Sequence, residues 1–176
     1  MKRALMLLAV TGLLTGCVTT RDKAGIEKIP QEAGEGKTMS TMHSVGILSV
    51  SIGCPPDKVY EFVANPENLP KWANGLGSSV KKTDRGWMVE TPQGPVTVRF
   101  AERNSFGVLD HYVTVAPGVE VYVPLRVIAN GSGSEVIFTL FRLPEMTEEK
   151  FAEDQKLVEQ DLRTLKNLLE KRSACL

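Results

Sequence analysis

Hydrophobic and polar positions fall into distinct textures along this chain. Ala4 to Leu14 is an uncharged, mostly apolar run of eleven residues behind Met1-Lys2-Arg3. From Val18 to Met42 the residues are polar and glycine-bearing, with no sustained period. Val45 to Ile52 is β-branched and alternates in its second half, with Leu48, Val50 and Ile52 on one face and Ser49 and Ser51 on the other, which predicts a strand. Cys54-Pro55-Pro56-Asp57 stops it. Pro56 suits the first position of a short helix carrying Val59, Phe62 and Val63 at helical spacing. Asn65-Pro66 ends that helix, and Pro66 to Trp72 reads as a second short helix or turn. From Ser79 onward, turn signals at 84–86, 92–95, 104–107, 116–118 and 130–133 separate six strands. Connections this short leave no room for crossovers, so the strands form an antiparallel meander. Thr147 to Lys171 predicts a helix of about 25 residues, with Thr147 as its cap and Glu148 and Glu149 at its positive end. Its apolar stripe of Phe151, Val158, Leu162, Leu165 and Leu169 implies one burial partner, and the sheet is the only surface large enough.

The N-terminal run is too short to span a bilayer, which takes ~20 apolar residues, and its charged start is that of a signal peptide. It closes on Leu14-Thr15-Gly16-Cys17, which resembles the bacterial lipobox: an aliphatic residue, two small ones, and the cysteine that receives lipid and becomes the new N-terminus. The resemblance implies that residues 1–16 are removed and that Cys17 is lipidated, its thiol being the nucleophile that takes the diacylglyceryl group. Several acyl chains, at ~0.8 kcal/mol per buried methylene, anchor a protein without a spanning helix. Val18 follows the cysteine in place of the aspartate that retains such proteins in the inner membrane. The expected location is therefore the cell envelope, at the periplasmic face of the outer membrane. Residues 17–42 then act as lipidated cysteine and tether, and a flexible coil of that length spans roughly 25–30 Å. The alternative for the distal part of the tether is an edge strand. Residues 43–176 form the folded domain.

Composition narrows the function classes. With 42% hydrophobic and 24% charged residues, the chain is globular rather than disordered. Its 21 basic and 21 acidic residues cancel, and removing residues 1–16 leaves a net charge of −2. No basic field exists to collect nucleic acid. Histidines occur only at His43 and His111, and no Cys-x-x-Cys, His-Glu-x-x-His, phosphate-cradling glycine loop or Gly-x-Ser-x-Gly elbow is present, so neither a metal nor a cofactor is expected.

One strand, two short helices, a strand meander and a long C-terminal helix, together with Pro55 to Trp72 and the runs Pro124 to Val127 and Phe138 to Arg142, resemble the SRPBCC, or START-like, superfamily and its polyketide cyclase/dehydrase-like subset. The resemblance runs from Ser44 to Lys171. It implies an α+β helix-grip fold in which a curved antiparallel sheet of about seven strands grips the long helix and leaves a cavity for an apolar molecule. Alternation gives the inward faces: Val96, Val98 and Phe100; Leu109, His111, Val113 and Val115; Val119, Val121, Val123, Leu125 and Val127; and Val136, Phe138 and Leu140. The candidate ligand-binding residues are Trp72, Trp87, Val98, Phe100, His111, Val113, Val121, Val123, Phe138, Leu140, Phe151, Val158 and Leu162. Each of these apolar positions also suits a filled core. His111 is the titratable residue that points inward, a candidate polar contact or general acid/base, with a structural histidine as the alternative. In this fold the two short helices support the C-terminal half of the long helix, so Cys54 and Cys175 could meet in a disulfide, or remain two thiols. Three functions follow: a lipid-anchored periplasmic protein binding a small apolar ligand, a cyclase- or hydratase-like enzyme using the same cavity, or a cell-envelope protein whose domain binds another protein.

Overall fold

The computed structural model describes residues 42–73, 79–91, 94–171 and 175. The segments that the sequence suggests are a signal peptide, a lipobox with Cys17 and a tether lie, up to residue 41, outside the described residues. The described chain begins with strand β1 (Val45–Ile52), followed by helix α1 (Pro56–Val63), a 3₁₀ turn (Pro66–Asn68) and helix α2 (Leu69–Trp72). Strands β2 (Ser79–Thr83), β3 (Gly86–Thr91), β4 (Gly94–Phe100), β5 (His111–Ala116), β6 (Val119–Val123), β7 (Leu125–Asn130) and β8 (Gly133–Phe141) come next, and helix α3 (Glu148–Glu170) ends the fold.

The meander has one strand more than the five turn signals predict. Alternation runs unbroken from Val119 to Val127 and reads as a single strand, but the chain divides at Pro124. Proline has no N–H to donate to a ladder. β6 belongs to a five-stranded sheet ordered β2-β3-β4-β5-β6, and β7 to a three-stranded sheet ordered β1-β8-β7, all pairs antiparallel. Because a single residue separates β6 from β7, inward parity survives the switch: Val123, Leu125 and Val127 are all buried. The segment before β5 stitches the two sheets, with Leu109 N donating to Leu125 O and Val127 N donating to Gly107 O, each at 2.9 Å. Gly107 has φ +69°, and a Cβ there would collide with the Val127 carbonyl oxygen, so this close approach requires glycine.

α3 is capped as its sequence predicts, Lys150 N donating to Thr147 Oγ1 at 3.2 Å. Its C-terminal half is packed tightly, with Leu165 and Leu169 buried in one core with Ile52, Val59, Val63 and Val136. That end is also tied to the β1–α1 corner. Glu170 Oε1 accepts from Gly53 N at 2.8 Å, Lys166 Nζ donates to Ser51 O at 2.7 Å, and Cys54 and Cys175 form a disulfide with their Cα atoms 4.8 Å apart.

Candidate functional site

Where the N-terminal half of α3 crosses the sheet, the core is hollow. A cavity of about 180 Å³ lies among β4, β5, β6, β8, α2 and α3. Of the residues singled out from sequence, Trp72, Phe100, His111, Val113, Val121, Val123, Phe138, Leu140, Val158 and Leu162 meet on its wall. The alternation of the strands brings them there, since partners in register share a face: Phe100 pairs with His111, and His111 with Val123.

Three candidates named from the sequence lie elsewhere on the molecule. Val98 is buried, but it packs between Trp87 and Val113 in the filled part of the five-stranded sheet. Trp87 shares the inward face yet sits toward the β2 edge, half-buried, with the Lys82 ammonium 6.0 Å from its ring. Phe151 has the same angular position on α3 as Leu162 and Leu169, but it stands in the first turn, half-buried and outside the cavity wall.

Other wall residues carried weaker sequence signals. Val115, Val119 and Leu125 follow from the strand alternation, whereas Leu69 and Ala73 of the α2 region and Phe141, Leu143 and Met146 of the β8–α3 connection have no period to reveal them. Asp154 and Asp161 also line the cavity. Asp154 is buried, with the Lys150 ammonium 2.9 Å from its carboxylate. Burial pushes the Lys150 pKa down, but Asp154 and Glu153 beside it outweigh that and hold it above the ordinary lysine value. An acidic residue at i−4 from Val158 falls on the helix stripe, and a search for apolar letters passes over it.

His111 is the chemical focus of the wall. Its Nδ1 lies 3.1 Å from the Leu109 carbonyl oxygen. A carbonyl oxygen only accepts, so Nδ1 carries the proton, and Nε2 of the neutral ring is an acceptor. The ring packs on Phe100 with centroids 5.0 Å apart. Desolvation lowers its pKa from 6.5 to about 4 against the opposing Leu109 hydrogen bond, so the side chain is neutral at pH 7. Nearby, the buried Trp72 indole N–H has no acceptor among the described residues.

No group of three or more His, Cys, Asp or Glu among the described residues is arranged to hold a metal ion. An apolar chamber whose polar lining is one neutral histidine, Asp161, the Trp72 indole N–H and the Asp154–Lys150 ion pair at one side can enclose a small uncharged molecule and fix it by a hydrogen bond.

The fold recurs among solved structures. The XoxI protein from Bacillus cereus aligns at 18% identity and a TM-score of 0.60, covering 73% of this chain and 96% of its own. Ara h 8.0201 aligns at 12% identity and a TM-score of 0.57, covering 73% of this chain and 99% of its own. DynU16, from the dynemicin biosynthetic locus, aligns at 18% identity and a TM-score of 0.56, covering 72% of this chain and 47% of its own. At these identities the likeness is one of fold. No curated protein matches the chain. The family model described as polyketide cyclase/dehydrase and lipid transport matches residues 47–170, which takes in every element from β1 to α3. The chain therefore belongs to the polyketide cyclase/dehydrase and lipid-transport family, with the helix-grip fold of the SRPBCC superfamily.

Proposed function

We propose that this protein binds a small apolar ligand in the cavity beneath α3 while held by lipid at the periplasmic face of a bacterial outer membrane. The observation that carries the binding reading is the 180 Å³ hollow in the core, walled mostly by valines, leucines and aromatic rings. An apolar cavity of ~150 Å³ stays dry and admits benzene. One ring with a short substituent is thus the size this chamber takes, below the ~300 Å³ of a drug-sized site. The anchor rests on Leu14-Thr15-Gly16-Cys17 behind a short apolar run, and the oxidising compartment agrees with a Cys54–Cys175 disulfide.

Binding is favoured over proton-transfer catalysis by the state of His111. A base with a pKa of about 4 is unprotonated at pH 7 but weak, whereas efficient general bases lie near the working pH. Native mass spectrometry of protein purified from its source envelope tests the reading. A retained molecule of fewer than about fifteen non-hydrogen atoms is expected. A protein that emerges empty and binds no small aromatic at millimolar concentration refutes it.

A further inference from the structure

Among the polar groups of the wall, His111 offers the neutral acceptor, beside the carboxylates of Asp154 and Asp161 and the Trp72 indole N–H. His111 is 6% exposed, its Nδ1–H is spent on Leu109 O, and Nε2 has no hydrogen-bond partner among the described residues. A ligand donor that meets this acceptor gains a hydrogen bond that the fold does not supply. The backbone holds this arrangement firmly, because Leu109 is itself fixed through its N–H to Leu125 O and the ring is held against Phe100. In register His111 lies between Phe100 and Val123, with Val113 next on the same face of its strand.

We propose that the ligand is a compact, uncharged molecule of one ring or equivalent bulk that carries a hydroxyl group, and that this hydroxyl donates its proton to His111 Nε2. The inference rests on the binding function proposed above and names its chemical class. A hydroxyl fits for two reasons. Its O–H meets the acceptor, and it adds little volume to a chamber of about 180 Å³. A carboxylate or a ketone offers only acceptors and makes no hydrogen bond to Nε2. Discrimination of this kind is large, because the analogue lacking the donor leaves the site's buried polar atom unpaired.

The test compares p-cresol with p-xylene, which replaces the hydroxyl by a methyl group of similar size, on the exported protein and on its His111→Phe variant. Dissociation constants come from calorimetry, and circular dichroism checks the variant's fold. His111→Phe should weaken p-cresol by about tenfold or more while leaving p-xylene within about twofold. In the unmutated protein the ¹⁵N resonance of His111 Nε2 should move on adding p-cresol and stay with p-xylene, a readout that stands even if the variant misfolds. If both probes bind but neither the affinity ratio nor the Nε2 resonance responds to the hydroxyl, the assignment of His111 is overturned and the apolar cavity stands. If neither probe binds at millimolar concentration, the binding function fails and takes this inference with it.

Discussion

Acidification should destabilise this fold through His111, by an amount that follows from its burial. The folded-state pKa is about 4 against 6.5 for the free side chain. Between those values the unfolded chain binds a proton that the folded chain refuses, so the unfolded state holds more protons and stability falls as pH falls. The histidine costs nothing well above pH 6.5, and its effect is complete below pH 4. Integrating the linkage from pH 7 to pH 5 gives a loss of about 2 kcal/mol, rising to about 3 kcal/mol at the acid limit. Urea m-values of ~1–3 kcal/mol per molar turn 2 kcal/mol into a midpoint shift of about 1 M. The buried Trp72 supplies a fluorescence signal for unfolding. His111→Phe keeps an aromatic ring against Phe100 and removes the titrating group. Its midpoint should therefore change by about 1 M less than that of the unmutated protein between pH 7 and pH 5. Carboxylates such as Asp154 and Asp161 are common to both proteins and cancel in the difference. Parallel pH profiles would refute the reasoning, because they would mean that His111 stays hydrated in the folded state.

Three further outcomes are expected. Leu165→Ala, at a fully buried position of α3, should cost about 2–5 kcal/mol in thermal or urea unfolding, and a cost under 1 kcal/mol would show that the C-terminal half of the helix is less tightly packed than described. Cys175→Ser, which opens a disulfide between residues 121 apart, should cost about 2–5 kcal/mol and make the protein indifferent to reductant, and a stability unchanged from the oxidised protein would count against the bond. Cys17→Ala should move the protein from the membrane fraction to the soluble fraction and abolish incorporation of a palmitate analogue, and continued labelling would sink the lipid anchor.

The elements whose sequence period matches a single buried face were legible: β1 by its alternation, α1 by Val59, Phe62 and Val63, and α3 by its leucines and the Thr147 cap. Pro124 was visible as a letter but not as a break, because the inward parity of Val123 and Leu125 is preserved across it and alternation alone cannot register a change of sheet. The cavity wall was legible on the strands, where period 2 assigns a face directly. It was less so on α3, where angular position says which way a residue points but not whether the sheet extends beneath it. Phe151 points the right way from a turn beyond the chamber, and Asp154 holds a buried place that apolar patterning reserves for another residue type. The connection around Leu143 and Met146 has no period and becomes part of the wall only through tertiary packing.

The ties at the end of α3 give the helix the mechanics of a cantilever. Its clamped end carries the Cys54–Cys175 bond, the Glu170–Gly53 hydrogen bond and the Lys166–Ser51 contact, all at one corner of the fold. Its other half reaches over the chamber, where Asp154 and Val158 line the cavity. A beam held this way deflects most where it is least supported, so native-state amide exchange should be faster along the overhang than at the clamp. Reducing the Cys54–Cys175 bond should raise amide exchange along α3, and an unchanged exchange profile would show that the hydrogen bonds hold this corner without it.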